Sequence, residues 1–180
     1  MVKTIRMTPQ KTTKEYFDVV DEHNVVIGSA PRSECHGNPG LIHRTSHVVV
    51  FHSDGRLLLQ KRSMSKDIQP GKWDTAVGGH LDPGEDFITA AKREMSEELG
   101  VKKDLFLDFL FDTKIRNDIE SENVRVFSTV YNGPFNFCTH EIDEIRFWTA
   151  TELRDPEERK NFTPNLILEL DKLFELELIK

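Results

Sequence analysis

The 180-residue sequence has only two cysteines, Cys35 and Cys138. Two thiols cannot build a disulfide framework, so the fold must rest on its core, and both are expected as reduced thiols. No run approaches the roughly 18 to 20 consecutive apolar residues that span a bilayer, which sets aside a helical membrane protein. The opening stretch MVKTIRMTPQKTTKEY has no apolar segment after Met1, so no secretory signal is expected and the cytoplasm is the expected location. Basic residues are outnumbered: 24 Lys and Arg against 31 Asp and Glu leave a formal net charge of −7, which argues against a nucleic-acid polymer as partner. An acidic chain that collects metal ions can still handle phosphates through those ions. Repeats and low-complexity tracts are also missing.

What is present is globular. With 37% hydrophobic residues, 31% charged and 12 phenylalanines, the chain can bury a core of its own. Residues 1–15, basic and without hydrophobic pattern, read as an N-terminal arm, and residues 16–180 as a single domain. Residues 16–28 read as a hairpin, followed by a Pro/Gly loop or one-turn helix. His47 to Phe51 and Arg56 to Arg62 are β-rich runs around Ser53-Asp54-Gly55, a hairpin signal. DTAVGG is a short strand, and residues 105–116, 123–133 and 144–150 are further strands. ATELRDPEERK predicts a short helix ending near Pro156, and residues 165–179 an amphipathic closing helix. Several strands with one helix in the middle and one at the end predict an α/β fold, a mixed sheet covered on both faces.

The most informative stretch is GGHLDPGEDFITAAKREMSEELGV. Pro83-Gly84 makes a turn and Asp86 can cap a helix over residues 87–99. Set on that helix at about 100° per residue with Glu94 at zero, Glu97 falls near ~300° and Glu98 near ~40°. Ile88, Ala91, Met95 and Leu99 form an apolar face beside them. Three carboxylates so close repel one another, and more strongly when partly buried, so something must compensate. A hard divalent cation with oxygen ligands does so. A solvated glutamate face is the ordinary reading of such a run, but the spacing sets it aside. Gly79, Glu85 and Arg93-Glu94-Met95-Ser96-Glu97-Glu98-Leu99-Gly100-Val101 fit G-x5-E-x7-R-E-U-x-E-E-x-G-U, with U an apolar residue. Nine specified positions match by chance at on the order of one in 10⁸ to 10⁹ starting points.

At every specified position the sequence resembles the Nudix hydrolases. The resemblance implies an α/β/α sandwich with a mixed β-sheet, whose box at residues 79–101 binds Mg²⁺ or Mn²⁺ and hydrolyses a small-molecule diphosphate linked to another moiety. It further implies that Glu94, Glu97 and Glu98 hold the metal, with the carbonyl of Gly79 as a further ligand. Arg93 and Glu85 would support that geometry, with Arg93, Glu94 and Glu97 the expected catalytic group. Either Glu94 or Glu97 can take the proton from water. Candidate substrates are a nucleoside diphosphate derivative, a nucleotide sugar or cofactor, or an isoprenoid-type diphosphate, with Trp73 and Phe51 as candidate base-stacking rings. Homodimerisation is common in enzymes of this size.

Outside the box, IHRTSHVVVF, LLLQKRS, PGKW and GGH resemble one branch of that family, the type I isopentenyl-diphosphate isomerases. Those enzymes hold a second divalent metal with three histidines and two glutamates. The resemblance puts His36, His43 and His80 at the histidine positions, with His47 competing for that of His43, and Glu120 and Glu122 at the glutamate positions. Trp148 matches an active-site tryptophan of that branch. The sequence departs from the isomerases at Gly78, where they need a cysteine acid/base. Proton transfer on two faces of an allylic carbon takes two opposed groups, so this departure argues for hydrolysis over isomerisation.

Overall fold

The computed structural model describes residues 15–180. The expected N-terminal arm therefore lies, but for Glu15, outside the described residues. Strands β1 (Tyr16–Val20) and β2 (Val26–Pro31) form the expected hairpin, closed by Asp21, whose side chain accepts the His23 and Val25 backbone N–H groups. One turn of helix, α1 (Arg32–Cys35), follows.

The main sheet is built on β3 (Ile42–Phe51), which begins five residues earlier than the valine run suggests. Its first residues alternate polar side chains, a pattern that reads as loop in sequence. They become strand because β3 gains partners on both sides. It pairs parallel with β8 (Ser121–Val130) and antiparallel with β6 (Val77–His80). Beyond β8 lies β7 (Asp108–Arg116). A second arm holds β4 (Leu57–Arg62) between β5 (Trp73–Thr75) and β9 (Ile142–Trp148). Both parallel and antiparallel pairs occur, so the sheet is mixed as expected.

Strands β3 and β4 leave the Ser53-Asp54-Gly55 turn but pair only at Phe51–Leu57, and then diverge. The single strand expected over DTAVGG is accordingly two: β5 pairs with β4, and after Ala76 the chain crosses the gap as β6 to pair with β3. This V between the arms is where the site lies.

Helices cover both faces. Helix α2 (Phe87–Leu99) occupies the span expected for it; Asp86 accepts the Thr89 N–H at 2.8 Å and Gly100 ends it in left-handed conformation with φ of 67°. It buries Ala91, Met95 and Leu99 against Val48, Val50 and Val77, while Ile88, expected on that face, is exposed. The ATELRDPEERK segment forms two short helices, α3 (Ala150–Arg154) and α4 (Pro156–Arg159), because Asp155 caps a new helix that opens on Pro156. Helix α5 (Pro164–Glu175), capped by Thr163, packs Leu166, Leu170 and Leu173 on Val49, Val124 and Val126. A charged residue, Glu169, is buried on the same helix. Leu170 is completely buried, so Leu170→Ala should destabilise the fold by about 2 to 5 kcal/mol in urea denaturation. A loss under about 0.5 kcal/mol, the range of surface substitutions, would show that α5 is peripheral.

Candidate active site and metal centre

The box carboxylates converge on one arginine. Arg93 Nε and Nη2 form a two-point ion pair with Glu85, at 3.0 and 2.9 Å. Its Nη1 donates to Glu94 at 2.7 Å and Glu97 at 3.2 Å, and Nη2 also donates to the His80 carbonyl at 2.9 Å. One planar guanidinium thereby ties the helix to the loop and strand before it. Burial acts to raise Glu85, but the hydrogen bonds from Arg93 and the Asp82 N–H, with the charge of Arg93, together outweigh this and hold it below the usual carboxylate value. The hydrogen bond with Glu85 in turn keeps Arg93 firmly charged.

Glu94 and Glu98 are in a different state. Burial raises Glu94. Burial, helped by the charge of Glu94, pushes Glu98 up to about 8, although the Gln60 amide and the Gly78 N–H donate to it at 3.1 and 3.2 Å. Glu97 projects into solvent at the rim. Gly79 lies directly against Glu94: a Cβ there would come within 2.0 Å of the Glu94 carboxyl carbon. Only glycine lets the strand and the carboxylate approach so closely.

On the opposite face of β6 lies a second cluster. Alternate residues of a strand share a face, which groups His43, Thr45 and His47 of β3 with Gly78 and His80 of β6. Glu122, expected in an acidic turn, lies instead inside β8, paired in register with His43 and buried. His36 from the end of α1 completes the group. Ligand atoms of His36, His43, His80 and Glu122 all lie within 4.8 Å of one another. Glu120 stands 3.8 Å from His36, at the edge.

The donor set suits a divalent cation. His43 Nδ1 is 3.3 Å from the Leu41 carbonyl, which makes it the N–H side and leaves Nε2 as an acceptor. That Nε2 is buried without a hydrogen-bond partner and 3.4 Å from Glu122, two acceptors facing each other with no donor between them. Burial, aided by His80, lowers His36 to about 4, and burial also lowers His80, so both rings are neutral and ready to donate a lone pair. Burial raises Glu120, reinforced by the charge of Glu122.

Both clusters border one open pocket of about 890 Å³, which Arg62, Lys66 and Asp74 also line. Trp73, Phe51 and Trp148 do not line it. Trp73 and Trp148 are buried edge to face at 5.1 Å, and Phe51 packs on the same core, so the stacking role expected of Trp73 and Phe51 and the active-site position implied for Trp148 do not hold in this fold. His47 is not part of the histidine cluster. Its Nδ1 is 2.8 Å from Glu169 of α5, a pairing that no sequence signal announced, because the two residues meet only when the helix closes over the sheet.

These features, a mixed sheet between helices with a glycine strand backed by a carboxylate helix, define the class. Residues 41–167 match the family model of the NUDIX domain, and the chain belongs to the Nudix hydrolase family. Within it the chain falls in the isopentenyl-diphosphate-isomerase-like branch. It is 37% identical over 146 residues to an uncharacterized Nudix hydrolase of Yersinia pestis, covering 77% of this chain and 75% of that one. It is 33% identical over 160 residues to an isopentenyl-diphosphate Delta-isomerase of Streptomyces avermitilis, covering 86% and 81%. A crystal structure from Deinococcus radiodurans superposes with a TM-score of 0.64 at 27% identity, covering 75% of this chain and 83% of that one.

Stability should carry the mark of the His47–Glu169 pair. Burial acts to lower His47, but its hydrogen bond to Glu169 and the charges of Glu169, Asp74 and Glu122 outweigh this and raise it to about 9. The pair's contribution is therefore full below 6.5 and is lost as pH rises through about 9. Urea denaturation of the native protein should show stability falling over that window, and Glu169→Gln should flatten the fall. Parallel pH profiles for the two proteins would exclude the pair as the cause.

Proposed function

We propose that the protein is a metal-dependent Nudix pyrophosphohydrolase that cleaves a phosphoanhydride bond in a nucleoside diphosphate derivative or related organic diphosphate by attack of water. The observation that carries this reading is the box itself: Glu94 and Glu97 held by Arg93, and Glu98 beside them, out of reach of Arg93, buried and pushed up to about 8. A carboxyl group in that state favours a nearby cation, because ionising it in a low-dielectric site needs a compensating charge.

Glu94, Glu97 and Glu98, with the Gly79 carbonyl, would hold Mg²⁺ or Mn²⁺. When bound, the cation neutralises the diphosphate, lowers the pKa of water and stabilises the departing phosphate. Arg93 keeps the glutamates at fixed spacing while Glu85 orients Arg93. In this reading either Glu97, at the rim and facing solvent, or Glu94, buried beside Gly79, accepts the proton of the attacking water. His36, His43, His80 and Glu122, with Glu120 beside them, would hold a second divalent ion on the other side of β6.

No Phe, Tyr or Trp among the described residues lines the pocket, and its apolar lining is limited to groups such as Ile68, Ile119 and Pro164. That lining supports a substrate recognised through phosphates and polar groups more than one held by base stacking or by an isoprenoid tail. The second reading, an isopentenyl-diphosphate isomerase activity, draws on the His/Glu cluster and the Streptomyces relative. Against it stands Gly78, which offers no acid or base.

A product assay with Mg²⁺ or Mn²⁺ over nucleoside diphosphate derivatives, nucleotide sugars and isopentenyl and dimethylallyl diphosphates separates the readings. Phosphate-bearing cleavage products are expected, and Glu98→Gln should lower turnover by about 10² to 10⁴ with the fold intact. An isomerised diphosphate without cleavage would establish the second reading. For the other metal centre, His43→Ala should lower bound Mn²⁺ or Zn²⁺ by one ion per chain in elemental analysis. Unchanged stoichiometry would remove that centre.

A further inference from the structure

His47 stands between the two clusters without belonging to either. It lies opposite Gly78 across the β3–β6 ladder. Its Nδ1 is fixed at 2.8 Å by Glu169, a carboxylate only 5% exposed that α5 brings down onto the sheet. Its Nε2 makes no hydrogen bond among the described residues, and the side chain lines the pocket. The ring edge faces Gly78: a Cβ at that position would lie 3.3 Å from both Nε2 and Cδ2. Such a contact is tighter than ordinary packing, and the ring is held on its far side by Glu169, so it has little room to give. Gly78 thus keeps open the space in front of Nε2. On the other side, the Gly78 N–H donates to Glu98, which places this space next to the box carboxylates.

A histidine–glutamate pair used only to fasten α5 would be a poor device. Burying two charges costs desolvation that apolar side chains of similar size avoid. The flanking leucines Leu166, Leu170 and Leu173 already fasten the helix. What the pair adds is a cation with one N–H free on the wall of a pocket that the box and cluster carboxylates share with Arg62 and Lys66. A carboxylate on one imidazole nitrogen fixes the direction of the other.

We propose that His47, oriented by Glu169 and given room by Gly78, is a substrate-anchoring donor whose Nε2–H bonds a phosphate oxygen of the substrate diphosphate. The position where the isomerases carry a cysteine is then, in this chain, the clearance for a phosphate-binding histidine. This assignment rests on the reading of the pocket as a diphosphate site. It requires that His47 be charged at neutral pH, consistent with its raised pKa.

The test uses methylene diphosphonate, a diphosphate that cannot be hydrolysed, titrated calorimetrically with Mg²⁺ into the full-length protein and three variants. The wild type should bind. His47→Gln should weaken binding about 10- to 100-fold, the range of a charge-assisted hydrogen bond. Glu169→Gln, which frees the ring, and Gly78→Ala, which crowds it while leaving the pair in place, should each weaken it about 3- to 10-fold. With a hydrolysed substrate the same variants should raise KM by these factors with little change in kcat, because the anchor acts on ground and transition states alike. A wild type that does not bind the diphosphonate overturns the reading of the pocket. A wild type that binds, with Gly78→Ala and His47→Gln binding equally well, overturns the role of His47 alone. Should His47→Gln fail to fold, Gly78→Ala decides, since it leaves the His47–Glu169 pair intact.

Discussion

Everything at this site depends on the electrostatic cost of gathering carboxylates. Glu94, Glu97 and Glu98 share about one turn of helix and Glu85 comes from the loop before it, against the repulsion such a cluster creates. Arg93 offsets part of it by contacting three of the four and the His80 carbonyl. Glu98, the one it does not reach, is the one with the most strongly raised pKa. The residual tension falls where a cation would bind, so the same arrangement that makes the helix costly suits it to a cation.

Strand β6 divides the site into two. Its period-two alternation turns Gly79 toward the box helix and Gly78 and His80 toward the histidine cluster, so adjacent residues serve separate centres about one strand thickness apart. The divergence of β3 from β4 is what makes this possible. If the two strands had stayed paired, β6 would have no ladder on β3, and Gln60 of β4 would not reach across to Glu98. The pocket is therefore a consequence of sheet topology more than of any loop.

The chain shares a branch with isomerases while carrying a complete hydrolase box. Three histidines and a glutamate lie together as the resemblance to that branch implies, and the His43 nitrogen among them is left without a donor. The departure that the resemblance exposes is Gly78, which faces His47 across one ladder. One fold can present different chemistry, because chemistry depends on which proton donors and cations face the substrate and not on the scaffold that presents them.

By itself the sequence determined the central helix, its cap at Asp86, the box and the residues that bear its charge, because these are local: fixed spacing on a 3.6-residue period needs no knowledge of distant partners. Through resemblance to a known arrangement it also pointed to the three histidines and to Glu122, which the fold brings together, and to Glu120, which stays at their edge. Tertiary structure alone decided the rest. The early start of β3, the strand position of Glu122 and the split of DTAVGG follow from pairing with segments far away in the chain, which override local polarity. The same distance hid the core positions of Trp73 and Trp148 and the union of His47 with Glu169, residues 122 apart in sequence. Period and spacing report which residues share a face; only the closing of helix over sheet decides what that face meets.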